Sequence, residues 1–242
     1  MSRSALSAKG GSPWRWRLSP GGVLREILAR RGTVEAPLYG EAASDLALIR
    51  DTRCRVPLLL GDMAALQILL CARAAARLDG AMAEAGVLMG GSARLICEAK
   101  GQAKLHLFDV FDWPLEDPPG GVEGRAAELR AHFGDVAGQL GVVRSLLAPY
   151  RGVHLHPGIF PATAAGLADE RYGFVHLDLD LAPSTQAALE YFHPRLLAGG
   201  ILIGDDYQDS GIRGVFKDFF AGRTDTVIEL PWGQVLVVRV PD

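Results

Sequence analysis

The sequence predicts an α/β fold: a mostly parallel sheet with helices on both faces, closed by a C-terminal antiparallel hairpin. Three observations carry this expectation. From about Gly80 onward, short apolar runs alternate with helical segments, and such alternation implies right-handed crossovers and a parallel sheet covered on both sides. The last two runs, "TVIEL" and "QVLVVRV", are joined only by "PWG", which is too short for a crossover and forces antiparallel pairing. A chain of 242 residues, 49% of them hydrophobic, can bury a full core without disulfide or metal staples.

In chain order, residues 1–20, "MSRSALSAKGGSPWRWRLSP", are basic, rich in Gly, Ser and Pro, and aperiodic, so a flexible arm is expected. Residues 21–79 form an N-terminal helical region, with "VLREILARR" and "DMAALQILLCARAAARL" its clearest segments. Asp62, Arg73 and Arg77 interrupt the longest apolar stretch, which reads as a buried helix rather than a membrane span. Residues 80–242 are the sheet domain. Its expected elements are strand "AMAEAG", helix "SARLICEA", strand "KLHLFDVF", two helical stretches in "EGRAAELRAHFGDVAGQLGVVRSLLAPY", and strands "GVHLHPG" and "FVHLDLDL". Helix "STQAALEYFHPRLLA", strand "GILIGDDY", helix "GIRGVFKDFF" and the closing hairpin follow. This is the outline of a Rossmann-like domain.

A net charge of -3 gives no electrostatic reason to expect nucleic acid or an anionic membrane as partner. Cys54, Cys71 and Cys97 are odd in number and unpaired in spacing, which fits buried thiols in a reducing compartment rather than a disulfide or zinc framework. With no apolar leader at the N-terminus, a cytoplasmic location is expected.

Three motifs carry chemistry. In "AEAGVLMGGSA", Glu84, Gly86, Gly90, Gly91 and Ser92 lie between a strand and a helix, where glycines let the backbone approach a ligand and the helix start offers free N–H groups. The spacing is not G-x-G-x-x-G, which weakens a dinucleotide reading. Asp109 ends the next strand, placed to accept hydrogen bonds from ribose hydroxyls; loop and aspartate together point to an adenosine-containing ligand. Finally, "HLDLD" puts His176, Asp178 and Asp180 on one side of a strand, and "GDDY" brings Asp205 and Asp206 to the same sheet edge, provided the strand is already turning at Asp205. Like charges this close must hold a proton or a cation, and an all-oxygen set suits Mg²⁺. The competing reading is that Asp180, Asp206 and Asp209 cap helices; the two aspartate motifs together favour metal. The histidines carry less: His106, His132 and His193 read as surface residues, His154 and His156 share a strand face, and His176 is held in reserve beside the aspartates.

"AEAGVLMGGSA", "HLFDVFDWP", "FVHLDLDLAPSTQAALEYFHPRLLAGGILIGDDY" and "GIRGVFKDF" together resemble the macrocin O-methyltransferase family, over about Gly80 to Phe220. The resemblance implies a Rossmann-like class I methyltransferase that uses S-adenosylmethionine and Mg²⁺ to methylate hydroxyls on natural-product sugars. It implies that Glu84, Gly86, Gly90 and Ser92 hold the methionine part of the cofactor and Asp109 the ribose. It further implies that Asp178, Asp205 and Asp206 coordinate the metal, that Asp178 and Asp180 are the catalytic carboxylates with Asp180 the general base, and that the protein is a homodimer. The chain departs from the family at Ala182, where a tyrosine is usual, and at "VLM" in the glycine loop, which bears on the acceptor and leaves the metal set intact.

Methyl transfer from a sulfonium is an in-line displacement, so the acceptor oxygen must be aligned and its proton removed. A metal chelated by two vicinal hydroxyls does the first and acidifies the hydroxyl, and a neighbouring carboxylate takes the proton. The expected partner is therefore a small hydroxylated acceptor. Two rival enzymes fit less well: a haloacid-dehalogenase-type phosphotransferase carries its D-x-D on the first strand, and an NAD-dependent oxidoreductase leaves the aspartates idle. A catalytically silent protein that binds cofactor and metal is the non-enzyme alternative.

Overall fold

The computed structural model describes residues 42–111 and 138–241, and a compact unit begins at Ser44. The elements are α1 (Ala42–Arg55), α2 (Asp62–Ala75), β1 (Ala81–Ala85), α3 (Gly91–Ala99), β2 (Leu105–Asp109), α4 (Gln139–Leu147), β3 (Val153–Pro157), β4 (Tyr172–Leu177), α5 (Ala182–Phe192), β5 (Leu196–Gly204), α6 (Ser210–Phe220), β6 (Thr226–Leu230) and β7 (Gln234–Val238). Short 3-10 turns span Ala162–Leu167 and His193–Arg195. The basic arm, "VLREILARR", His132 and the first helical stretch after β2 lie outside the described residues.

One seven-stranded sheet has the order β3-β2-β1-β4-β5-β7-β6. Strands β1 to β5 pair in parallel, while β7 is antiparallel to both β5 and β6. This is the predicted α/β architecture, hairpin included. Its central strands are buried on both faces, so alternate side chains feed two cores. Met82, Leu107 and Phe174 face α2 and α3, joining Ile68, Leu69, Leu95 and Ile96. Ala83, Phe108 and Val175 face the other way, joining Leu189, Phe192 and Phe216. Because Ile49 of α1 and the apolar residues of α2 enter the first of these cores, these two helices and the sheet share one interior. Buried charge is paired where α1 meets the rest: Arg73 grips Asp45 through two bonds of 2.8 and 3.1 Å, and Arg94 donates to Thr52 at 2.6 Å and Asp51 at 2.7 Å. Among the described residues no helix is long and apolar enough to cross a membrane.

Several expectations are corrected. The helix expected through Ala198 ends at Phe192, and Leu196 opens β5. Pro194 has no N–H to continue the helix, and Gly200 sits so tightly that a Cβ would lie 2.8 Å from the Leu197 carbonyl. The β4–β5 register shifts there, between Tyr172 and Phe174. Strand β4 ends at Leu177, before the aspartates. His106 and His193 are buried rather than on the surface. His106 stacks on His154 and bonds His156 at 3.0 Å, and His193 binds Asp225 at 2.8 Å. Of the three thiols, Cys71 and Cys97 are buried but Cys54 is exposed.

Candidate active site

Strand order decides where the site lies. After β1 the chain runs outward through β2 and β3, then crosses to β4 on the other side of β1. Open α/β sheets bind ligands at this switch point, beyond the carboxyl ends of the strands. The loops after β1, β2, β4 and β5 all emerge there, and among the described residues each contains one non-glycine residue in the left-handed region: Leu88, Phe111, Asp180 and Asp206, with φ of 52, 51, 58 and 55°. Such conformations cost about 1–3 kcal/mol each and collect at functional sites. No other described non-glycine residue has a positive φ.

The glycine loop is held from beneath. Asp109 accepts from the amides of Val87 at 2.7 Å and Leu88 at 2.9 Å through Oδ2, and from Phe111 at 2.9 Å through Oδ1. Gln139, buried on α4, donates to the Leu88 carbonyl at 2.5 Å. Asp109 is thus first a clamp on the loop, with spare lone-pair capacity on Oδ1 for a ribose hydroxyl. Gly90 caps α3 without any side-chain bond, so the first-turn amides of Gly91, Ser92 and Ala93 have no intrahelical acceptor and can meet a carboxylate. Glu84 does not reach the strand end as an exposed group. It is wholly buried, with Oε1 2.8 Å from His176 Nδ1, while Oε2 has no partner among the described residues. An orphaned buried carboxylate oxygen is costly, and an ammonium donor would satisfy it. These features fit the amino-acid end of S-adenosylmethionine.

The aspartates arrive by register. Glu84 pairs with His176 and Ala85 with Leu177, while Leu177 pairs with Gly204. The Asp178 amide then donates to Ala85 at 2.9 Å and the Asp205 amide to Leu177 at 2.8 Å. Donor atoms of His176, Asp178 and Asp205 lie within 4.8 Å of one another, a separation a single cation can bridge. Asp206 is outside that trio but joined to it electrically. Burial, then the charges of Asp180 and Asp205, push its carboxyl up to about 6, and a hydrogen bond with Asp180 adds to the rise. Burial and the Asp205 charge push Asp178 well above the usual carboxylate range. Burial pulls the His176 imidazole down, yet its bonds to Asp205 and Glu84 lift it to about 10. His176 thus lies between two carboxylates, its Nδ1 2.8 Å from Glu84 Oε1 and its Nε2 3.5 Å from Asp205 Oδ2. There it can serve as a counter-charge or as a third donor to a cation. Helix capping accounts for Asp209 alone, which accepts from Gly211 and Ile212 at 2.8 and 3.0 Å. The α5 cap is Leu181, with no side-chain bond.

Of the sequence candidates, His176, Asp178, Asp180, Asp205 and Asp206 meet at one point, with the Asp109-clamped loop beside them. His154 and His156 belong instead to the His106 cluster. Sequence reasoning missed Gln139 and also Gln208, which donates to Asp206 Oδ1 at 3.1 Å; neither has a motif, since each is defined only by what it touches.

The excess of negative charge has a measurable consequence. Between its ordinary 3.8 and about 6, Asp206 binds more proton folded than unfolded, so stability falls as pH rises through that window. His176 adds a fall of the same sign between 6.5 and about 10. In EDTA, Tm is expected to drop by about 4–8 °C from about pH 5 to about pH 8, and Mg²⁺ at the higher pH should restore it. A scan in which Tm is flat with pH and indifferent to Mg²⁺ would contradict this electrostatic picture.

Comparison with known proteins agrees with the fold. The family model described as Macrocin-O-methyltransferase (TylF) matches residues 62–235. A Streptomyces olivaceus protein, 8-demethyl-8-(2,3-dimethoxy-alpha-L-rhamnosyl)-tetracenomycin-C 4'-O-methyltransferase, is 32% identical over 163 residues. That match spans 62% of this chain and 62% of the relative's own length. Among solved structures, the O-methyltransferase NovP superposes with a TM-score of 0.66 at 20% identity, covering 83% of this chain and 98% of its own. TomG from Streptomyces achromogenes, solved with SAM, gives 0.54 at 17% identity, covering 96% of this chain and all of its own (100%). At these identities the two structures speak to the fold.

Proposed function

Because the chain belongs to the macrocin O-methyltransferase family, we propose that it transfers a methyl group from S-adenosylmethionine to a sugar hydroxyl of a natural product, with Mg²⁺ held beside the acceptor. One observation carries this reading: the Asp178–Asp205 pair, with Asp206 next to it, opens beside a glycine loop clamped by Asp109. The acidic cluster would serve a silent metal-binding protein equally well, and it is the family match that favours an enzyme.

When bound, S-adenosylmethionine supplies an electrophilic methyl group and Mg²⁺ a Lewis acid that acidifies the accepting hydroxyl. The residues do the rest. Glu84 Oε2 and the first-turn amides of α3 bind the two ends of the amino-acid moiety, and Asp109 Oδ1 takes a ribose hydroxyl. Asp178, Asp205 and Asp206 would hold the cation. Asp180, the most exposed of the four carboxylates, accepts the hydroxyl proton as the O–C bond forms and the C–S bond breaks. His176 keeps Asp205 in place and offsets part of the charge.

A cation held by these carboxylates would favour an acceptor that carries a second oxygen, hydroxyl or ether, next to the accepting hydroxyl. The Streptomyces olivaceus relative bears on this point, since its name places the methylated 4' position beside a 3-methoxy group. The test is turnover on a set of rhamnosyl acceptors differing only at the neighbouring carbon. Hydroxyl and methoxy neighbours should both support S-adenosylhomocysteine release, which EDTA abolishes and Mg²⁺ restores, whereas the deoxy acceptor should turn over about 100-fold more slowly. Undiminished turnover in EDTA would refute the metal-dependent mechanism.

A further inference from the structure

We propose that Gln234 and Trp232, on the C-terminal hairpin, are positioning residues that aim Asp205 at the cation; this rests on the metal reading above. Strand β7 pairs antiparallel with β5 through Gly204 and Val235, so the next step of the ladder sets Gln234 against Asp205. Gln234 is 0% exposed, at the head of a strand whose other residues are apolar. A buried amide is costly unless its groups are bonded. Here Nε2 donates to Asp205 Oδ2 at 3.2 Å, and Oε1 accepts from Trp232 Nε1 at 3.0 Å.

Those partners fix which way the amide points. An indole N–H can only donate and an ionised carboxylate can only accept, so the amide oxygen must face Trp232 and its nitrogen Asp205. The donor is also neutral. It orients Asp205 Oδ2 without adding positive charge at an oxygen that His176 Nε2 already approaches at 3.5 Å. The hairpin reaches Asp206 as well. Tyr207 N–H donates to the Gly233 carbonyl at 2.8 Å, and Gln208, which holds Asp206, lies so close to Gly233 that a Cβ there would come within 2.3 Å of it. The "PWG" turn thus supports both vicinal aspartates from behind.

The test measures Mn²⁺ affinity by electron paramagnetic resonance and S-adenosylhomocysteine affinity by calorimetry, in wild-type protein, Gln234→Leu and Trp232→Phe. Gln234→Leu keeps the volume and removes the donor, so Mn²⁺ affinity should fall about 10- to 100-fold, the usual effect of losing a partner of a metal ligand, with nucleoside affinity unchanged. Trp232→Phe frees the amide to turn and should cost about fivefold in Mn²⁺ affinity. If Gln234→Leu does not fold, Trp232→Phe decides by the same criterion. Wild-type Mn²⁺ binding that the variants retain within about twofold overturns this proposal alone. Wild-type protein that binds no Mn²⁺ overturns the metal reading and this proposal with it.

Discussion

Replacing Asp178 with asparagine is expected to lower kcat/KM for methyl transfer by about 1,000-fold or more, while S-adenosylhomocysteine affinity stays within about threefold. Asparagine is nearly isosteric, so the backbone bond from residue 178 to Ala85 and the packing over Gly86 survive. What is lost is a charge beside Asp205, and the amide would turn a donor toward the cation. The metal-free variant should also be more stable than the wild type in EDTA at about pH 8, because burial and Asp205 already disfavour an ionised Asp178. Lower activity coupled to higher metal-free stability is a signature that simple misfolding cannot produce. A variant that instead loses nucleoside binding and keeps Mg²⁺ binding would reverse the roles assigned to Asp178 and the glycine loop.

The second large effect is expected at Gly86. Its φ is 88°, and a Cβ there would lie 1.7 Å from the Asp178 carbonyl oxygen, an impossible contact with rigid backbone. Gly86→Ala should therefore cost about 4 kcal/mol or more, combining left-handed strain with overpacking between β1 and β4. Since Gly86 and Asp178 are packed backbone to backbone, the substitution should damage both half-sites at once, abolishing nucleoside and cation binding together. Chemical denaturation with binding titrations would check this. A stable Gly86→Ala protein that binds either ligand normally would show that the close approach of the two loops is dispensable.

Much of this was legible in the sequence because it is local. Short apolar runs between helical segments marked β1, β2 and β4, a tight "PWG" marked the hairpin, and "DLD" and "GDD" after apolar runs marked carboxylates at strand ends. Even the turn at Asp205 followed from two adjacent aspartates having to face one site, and Asp206 does take a left-handed φ. What was not legible depends on pairings between distant residues. His106 reads as an ordinary strand histidine until β3 brings His156 to 3.0 Å. Nothing in the sequence shows that Glu84 is wholly buried, with one oxygen on His176 of β4 and only the other left over. "PRLLA" reads as the tail of a helix because Leu and Ala favour helices, whereas the structure starts β5 at Leu196, paired with Tyr172 of β4. Asp109 was placed correctly at its strand end, but its grip on Val87 and Leu88 needed the loop's three-dimensional path.

The central claim is that the glycine loop takes S-adenosylmethionine and the aspartates beside it take Mg²⁺. Calorimetric titration of S-adenosylhomocysteine and, separately, of Mg²⁺ into the wild-type protein and Asp205→Asn tests it most directly. The expected result is nucleoside binding in both proteins and a Mg²⁺ binding heat in the wild type that Asp205→Asn loses. Wild-type protein that binds neither ligand, or an Asp205→Asn variant that binds Mg²⁺ as the wild type does, would contradict it.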